Sequence, residues 1–462
     1  MKRKKKILLL SDDMRMHSGI ATVSREIVLN SVKEFDWVQL GAAVQHPDAG
    51  KVFDLSADIV KQTGVEDAYV RVYANNGYGN PDLLRELIQR EQPDAILHFT
   101  DPRFWGWLYN MEHELRQILP IMYYTIWDST PYPKFNTSFY ESCDLLMCIS
   151  KQTHNIVKQC LKDKNYKDWQ ITYVPHGISE TQYFPIDESD AEYQEFKKAT
   201  LPAKAEFVTF FNARNIRRKH ISDLILAYKK FCDTLSKEES EKCLLLMHTD
   251  PVDENGTDLY AVINEMCPMY PVAFTGSRLL TTKQLNYLYN MADVCANLAS
   301  NEGFGLGTAE AVMAGTPIIV LTTGGLQDQC GFRWKDSGEL VTAEDYVKIG
   351  SLHNWRDSQD KVTYGEWVKP VWAKAQTMTG SVPTPYIIDD KIDIQDLADA
   401  MRYWYDIPKE ERKKRGLIGH EFFKGPNGYH AQRMCDTLIE GMEGAFENWK
   451  PRKKYDLFKI KD

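Results

Sequence analysis

The chain has 462 residues, of which 43% are hydrophobic, 26% charged and 12% aromatic. This is an ordinary globular composition, which excludes a disordered, collagen-like or coiled-coil molecule and is long enough for two or three domains. Lys and Arg total 56 against 65 Asp and Glu, a formal charge of −9; that argues against coating nucleic acid by bulk electrostatics but leaves local basic patches such as Lys2–Lys6 to meet phosphates.

The first predicted element is a buried strand, Lys6–Leu10, whose apolar run stops at Ser11-Asp12-Asp13, too short for a signal-peptide core. No stretch approaches the roughly 20 apolar residues that a membrane-crossing helix needs. A helix follows at Gly19–Asn30, with Ile20, Val23, Ile27 and Val28 at helical spacing. Strands are expected at Trp37–Ala42, Ala95–Thr100, Ile121–Thr125, Leu145–Ile149 and Ile171–Val174. From Phe184-Pro185 to about Lys204 the chain turns polar and acidic, which marks a domain boundary. A second series of strands then runs through Phe207–Phe211, Leu244–His248, Val272–Thr275, Val294–Leu298 and Pro317–Leu321, with helices near Ile221–Leu235, Thr282–Met291 and Thr308–Ala314. The stretch Arg333–Pro385 breaks the alternation and reads as an irregular insertion before helices at Ile394–Tyr405 and Tyr429–Trp449. Strands alternating with helices are the mark of βα units, so the fold class is α/β with parallel sheets. Nine cysteines without a C-x-x-C pair give neither a zinc site nor a redox motif, and reduced thiols in a cytoplasm are the simplest reading.

Two stretches carry chemistry. In Ser300-Asn301-Glu302-Gly303-Phe304-Gly305-Leu306-Gly307-Thr308-Ala309-Glu310 a strand ends, a glycine loop turns and a helix begins at Thr308. Glycines let backbone N–H groups approach an anion, and the helix start adds its positive dipole end, so phosphate fits there. A dinucleotide fingerprint is the competitor, but the third glycine of G-x-G-x-x-G is missing and no acidic residue ends the next strand. Glu302 and Glu310 can grip two parts of one extended ligand, since carboxylates accept hydrogen bonds from hydroxyls; two solvated glutamates beside a turn are the plainer alternative. The second stretch, Asn212 to His220, holds Arg214, Arg217, Arg218 and Lys219 at a strand-to-helix turn. Arg214 as a planar fork and Lys219 as a point charge would flank a diphosphate, against the alternative of a solvated basic loop.

Arg214-x4-Lys219, Glu302-x7-Glu310, Phe274-Thr275-Gly276, Tyr173-Val174-Pro175-His176-Gly177-Ile178, and Ala314-Gly315-Thr316-Pro317 with Gly324-Gly325 together resemble the retaining GT-B glycosyltransferases. This group includes glycogen synthases, sucrose synthases and many mannosyl- and glucosyltransferases, and the resemblance covers most of Lys6–Leu326. It implies two Rossmann-like domains facing across a cleft: residues 1–188 for the acceptor, 204–428 for the nucleotide-sugar, and 429–462 as a helix crossing back to the first domain. It also implies that Arg214 and Lys219 bind the diphosphate, Glu310 the nucleotide ribose and Glu302 the donor sugar. Gly276, Phe304, Gly305, Leu306, Gly307 and Thr308 would line the donor, with Ser18 and Gly19 approaching its phosphates. The chain has no D-x-D triplet, which suits a metal-independent enzyme with no cofactor and a nucleotide-sugar such as a UDP-sugar as substrate.

One departure concerns a His-Asp pair that the family often carries after the strand Ile121–Thr125. Here Ile126-Trp127-Asp128 stand in its place, which makes Asp128 the nearest polar group and Trp127 either a replacement for the histidine or a wall of the cleft. A fainter resemblance links Ser11–Gly19 and Gln45-His46-Pro47-Asp48 to glycosyltransferases of tailed phages, some of which modify hydroxymethylated cytosine. That would make DNA the acceptor in a host cytoplasm, met by Arg217, Arg218 and Lys2–Lys6, with Trp105, Trp107 and Trp127 stacking on a flipped base. The alternatives are a polysaccharide or lipid-linked acceptor, a sugar-nucleotide epimerase, and a non-catalytic module of the same fold that binds a nucleotide-sugar or DNA.

Overall fold

The computed structural model describes residues 3–276, 280–349 and 356–453; Lys2 of the basic arm lies outside them. The chain forms two compact units. The first runs to Trp127, resumes at Tyr132–Gly177 and is completed by the chain from Ala431, while the second comprises Asp128–Pro131 and Ile178–His430.

The first unit is built on strands β1 (Lys5–Asp12), β2 (Phe35–Ala43), β3 (Val52–Asp54), β4 (Val70–Asn76), β5 (Ala95–Phe99), β6 (Ile121–Thr125), β7 (Leu145–Cys148) and β8 (Ile171–Tyr173). They lie in the order β3-β4-β2-β1-β5-β6-β7-β8, all neighbours parallel except the edge pair β3 and β4. Ile7, Leu8, Leu9 and Leu10 of β1 are fully buried, because a central parallel strand is covered on both faces and has no polar side to alternate with. The helix Ala431–Asn448 packs on the helix Gly19–Ser31 and on β7, and Met434 Sδ accepts the Gly177 N–H at 3.2 Å.

The N-terminal cations, expected as a local patch that could meet phosphates, are paired within the unit. Arg3 pairs with Asp94 at 2.7 Å, Lys4 with Asp67 at 2.6 Å and Lys6 with Glu91 at 3.3 Å, so carboxylates of the same unit already neutralise them. Trp105 is fully buried in the core and offers no face to a base. Trp107 is partly buried and donates its indole N–H to Tyr78 O at 3.2 Å.

The same core sets a pH limit. His98 Nδ1 lies 2.7 Å from Tyr109 Oη and His176 Nδ1 lies 2.8 Å from Tyr124 Oη, and burial pushes both imidazoles down to about 3. Between about pH 6.5 and 3 the unfolded chain takes up these two protons and the folded chain does not, so stability falls as pH falls. The expected slope is about 1.4 kcal/mol per pH unit for each histidine. Denaturant midpoints at pH 7 and 5 check this, and a first unit as stable at pH 5 as at pH 7 would refute it.

The second unit has β9 (Phe207–Asn212), β10 (Cys243–His248), β11 (Val272–Phe274), β12 (Val294–Asn297), β13 (Ile318–Leu321), the short pair β14 (Arg333–Trp334) and β15 (Val362–Thr363), β16 (Val368–Val371), and a hairpin of β17 (Ala375–Ser381) and β18 (Thr384–Lys391). Its main sheet has the order β11-β10-β9-β12-β13-β16, the Rossmann arrangement in which the first strand is central. The stretch expected to be irregular therefore supplies an edge strand: Val368 sits opposite Ile318 on β13, and Pro370 is tolerated because a strand at the sheet edge need not donate outward. The helix Lys409–Lys424 lies against the helix Leu306–Met313. At Gly416 a Cβ would stand 1.9 Å from Gly315 O, so glycine is what permits the approach.

Candidate active site

β9 and β12 are neighbours at the point where strand order reverses. Loops leaving the C-terminal ends of strands at such a point are the usual ligand position in doubly wound sheets. The loop after β9 is pinned by Asn215, 1% exposed, whose side-chain amide donates to Asp250 O at 3.1 Å and Thr257 O at 2.7 Å. Its short 3-10 turn Arg217–Lys219 is tied to the loop after β12 by the Ser300 N–H donating to Arg218 O at 2.8 Å.

These two loops bring opposite charges together. Lys219 Nζ makes a close ion pair with Glu302, and Arg218 Nη1 lies 3.7 Å from the same carboxylate while donating to Asn301 O at 2.5 Å. The side chains of Lys219 and Glu302 are only 10% and 12% exposed. Burial acts to raise the Glu302 carboxyl, but Lys219 and Arg218 outweigh it and hold the group below its ordinary value. Burial and the neighbouring Arg218 push the Lys219 ammonium down, against the pull of Glu302 and Asp128. A buried pair of this kind contributes little net stability because desolvation offsets its attraction, and perturbed groups at a sheet's switch point are typical of functional sites.

Asp128 belongs to this unit too. Burial raises its carboxyl, Arg218 is the cation that opposes the rise, and Ser129 Oγ donates to it at 2.8 Å. Asp128, Arg218, Lys219 and Glu302 thus form one electrostatic cluster. Arg218, which the sequence offered only as a surplus cation, stands inside it. Arg214 does not: its side chain is 64% exposed and its Nε donates to Asp253 at 3.0 Å, on the outer part of the loop.

The glycine loop leads directly into the helix Leu306–Met313, which starts two residues before the expected Thr308. Gly305 takes a left-handed φ of 89° and, among the described residues, no side chain caps the helix, so the amides of its first turn are left for an anion. Gly307 lets this helix approach Asn212 O, 3.0 Å from where a Cβ would stand. Phe304 and Thr308 are buried: Phe304 is 2% exposed and set edge-on against Tyr429, while Thr308, 1% exposed, donates its hydroxyl to Gly305 O at 3.1 Å. Gln329 Nε2 donates to Phe304 O and Gly305 O at 2.7 and 2.9 Å, fixing the loop from below.

Glu310 has partners of its own. Tyr289 Oη donates to it at 2.6 Å and accepts from Asn212 Nδ2 at 2.7 Å. Burial raises the Glu310 carboxyl, and the phenols of Tyr289 and Tyr183 only partly offset this. No sequence motif marked Tyr289, which lies on the helix Thr282–Met291 and reaches Glu310 only through the fold. Gly276, with φ of 84°, follows β11, and no atom of the described residues stands where a Cβ would be. In the first unit, Ser18 caps the helix Gly19–Ser31, accepting from Ala21 N at 3.0 Å and donating to Asp12 at 2.8 Å.

Residues 209–349 match the family model of glycosyl transferases group 1, a span that contains the Arg218, Lys219 and Glu302 cluster and the glycine loop. No curated protein matches by sequence. Among solved structures, the chain resembles sucrose-phosphate synthase from Thermosynechococcus elongatus (TM-score 0.64, 14% identity, 96% of this chain and 100% of that one). It also resembles Anabaena HepE in complex with UDP and glucose (0.61, 13%, 95% and 99%). A third is an E. coli trehalose-6-phosphate protein bound with UDP-2-fluoro glucose (0.62, 12%, 97% and 100%). At these identities the likeness concerns the fold, which is GT-B. With a group 1 domain built around the charged switch point of its second sheet, the chain is a glycosyltransferase.

Proposed function

We propose that the second unit binds a nucleoside-diphosphate sugar, such as a UDP-sugar, and that the enzyme transfers the sugar to an acceptor hydroxyl with retention of anomeric configuration. The observation that carries this reading is the Lys219–Glu302–Arg218 cluster beside an uncapped helix start. Cations and helix amides suit a diphosphate, and a carboxylate suits sugar hydroxyls. In the transfer the bond between the anomeric carbon and the diphosphate oxygen breaks, and charge grows on that oxygen. The acceptor oxygen bonds to the same face of the carbon, and its proton passes to the departing diphosphate. Stabilising the growing charge is the largest contribution such a site makes.

Lys219, Arg218 and the helix start supply positive charge that a metal would otherwise provide, so activity is expected to survive excess EDTA. Abolition by EDTA with rescue by magnesium or manganese would refute the metal-independent reading. For the acceptor we propose a polysaccharide or lipid-linked glycan. The cations Arg3, Lys4 and Lys6 are already paired and Trp105 is buried, which weakens the case for DNA. Release of nucleoside diphosphate from a panel of nucleotide-sugars, with glycan acceptors in one arm and hydroxymethylcytosine-containing DNA in the other, tests both statements. Label entering DNA alone would reverse the acceptor assignment, and no acceptor-dependent release with any donor would remove the transferase reading.

A further inference from the structure

The hairpin β17–β18 follows the edge strand of the second sheet, and its second strand meets two of the loops just described. Three consecutive residues make the contacts. The Ile388 N–H donates to Thr130 O at 2.6 Å, in the segment that carries Asp128. The Asp389 carboxylate accepts from Asn301 Nδ2 at 2.6 Å, and the Asp390 N–H donates to Ser300 O at 3.3 Å. Asn301, the residue before Glu302, is thereby held at both ends, by Asp389 on its side chain and by Arg218 on its carbonyl. Asp389 is itself oriented by the Thr379 hydroxyl across the hairpin at 3.2 Å.

We propose that the hairpin is a clamp that sets the spacing between the Asp128 segment and the Glu302 loop, and that Asp389 is its positioning residue. The inference rests on the donor-site reading of Glu302 given above. The physical argument is one of reach. Glu302 can meet both Lys219 and a ligand only if its backbone is fixed, and that backbone sits in a loop with glycine on its far side, Gly303. A loop of that kind wanders by more than the few tenths of an ångström that transition-state hydrogen bonds tolerate unless side chains tie it down. Within its own sheet the loop is held by the Gly325 N–H on Glu302 O at 2.8 Å and the Thr323 hydroxyl on Ser300 O at 3.2 Å; from outside it, the hairpin adds the Asp390 N–H on Ser300 O and the Asp389 carboxylate, which is the side-chain tie on Asn301. Among the described residues Asp389 makes no hydrogen bond or ion pair to Lys219 or Glu302; its hydrogen-bond partners are Asn301, Ser300 and Thr379, so its effect is on where Glu302 stands and not on its charge.

Asp389→Leu removes the acceptor for Asn301, whereas Asp389→Asn keeps an oxygen at the same place. The expected result is a fall in kcat of tenfold or more for Asp389→Leu with the affinity for the product nucleotide within twofold of wild type, and recovery to within threefold in Asp389→Asn. Hydrogen exchange of the Ser300–Gly303 amides should speed up in the leucine variant and return toward wild type in the asparagine variant. Equal kcat in all three proteins, unchanged exchange in Asp389→Leu, or an asparagine variant as impaired as the leucine one would overturn the proposal. If wild-type protein turns over no nucleotide-sugar, the donor reading fails on that result alone, while the exchange measurement still decides whether Asp389 holds the loop.

Discussion

Lys219→Ala is expected to lower kcat by about 10²–10³, the usual cost of removing one donor aimed at developing charge, with a smaller loss in affinity for the product nucleotide. The side chain is buried beside Glu302 and Arg218, so its loss is not made good by solvent. The pH profile should move as well. Glu302 is held below its ordinary value by Lys219 and Arg218 against a burial effect that raises it. With Lys219 gone the burial effect remains, the carboxyl's pKa rises, and a rate that depends on ionised Glu302 begins to fall at a higher pH as the solution is acidified. Arg214→Ala serves as the contrast, because that guanidinium is mostly exposed and already paired with Asp253, and its loss should cost less than that of Lys219. Steady-state kinetics and product-nucleotide titration on both variants check the ordering, and a larger loss at Arg214 than at Lys219 would show that the diphosphate sits on the outer loop.

That ordering marks where sequence reading stops. A short apolar run ended by a polar turn was enough to locate β6 to the residue, since burial on both faces leaves a clear pattern, and the helix expected near Thr282–Met291 spans those residues. The edge strand β16 was not legible, because Lys369 and Pro370 interrupt its apolar run and only pairing with β13 makes it a strand. In the loop after β9, spacing identified four cations but could not tell which would turn inward. Arg218 does so because the Ser300 N–H holds its carbonyl and its guanidinium finds Asn301 O, contacts between segments 83 positions apart. Asp128 stood out as a polar residue after β6, but its place in the second unit is a tertiary fact. The pairing of the basic N-terminus was illegible for the same reason: the carboxylates it meets are distant in sequence, up to 91 positions away.

The largest stability effect is expected at Arg412→Leu. Arg412 lies on the helix Lys409–Lys424 and donates from Nε and Nη2 to one oxygen of Asp293, at 3.1 and 2.7 Å, and from Nη1 to Trp404 O at 3.2 Å and to Ile407 O. The other oxygen of Asp293 accepts the Val208 N–H at 2.8 Å, at the start of β9. Both side chains are 8% exposed, so removing the cation leaves a carboxylate buried without its charge partner and backbone carbonyls without their donor. Breaking a buried pair in this way costs about 3–5 kcal/mol, far more than the pair is worth as a whole. Asp293→Asn in the Arg412→Leu background should therefore recover part of the loss, since the amide keeps an acceptor for Val208 and removes the stranded charge. The effect should also reach the donor site. Asp293 sits one residue before β12, whose end carries the Glu302 loop, and the Arg412 helix supports the site helix through Gly416 and through His420 Nδ1, 2.5 Å from Met313 O. Denaturant midpoints give the stability change and nucleotide titration well below the melting temperature gives the change at the site. A loss under about 1 kcal/mol in the single variant, or no recovery in the double one, would mean that Arg412 and Asp293 are not coupled as their geometry requires.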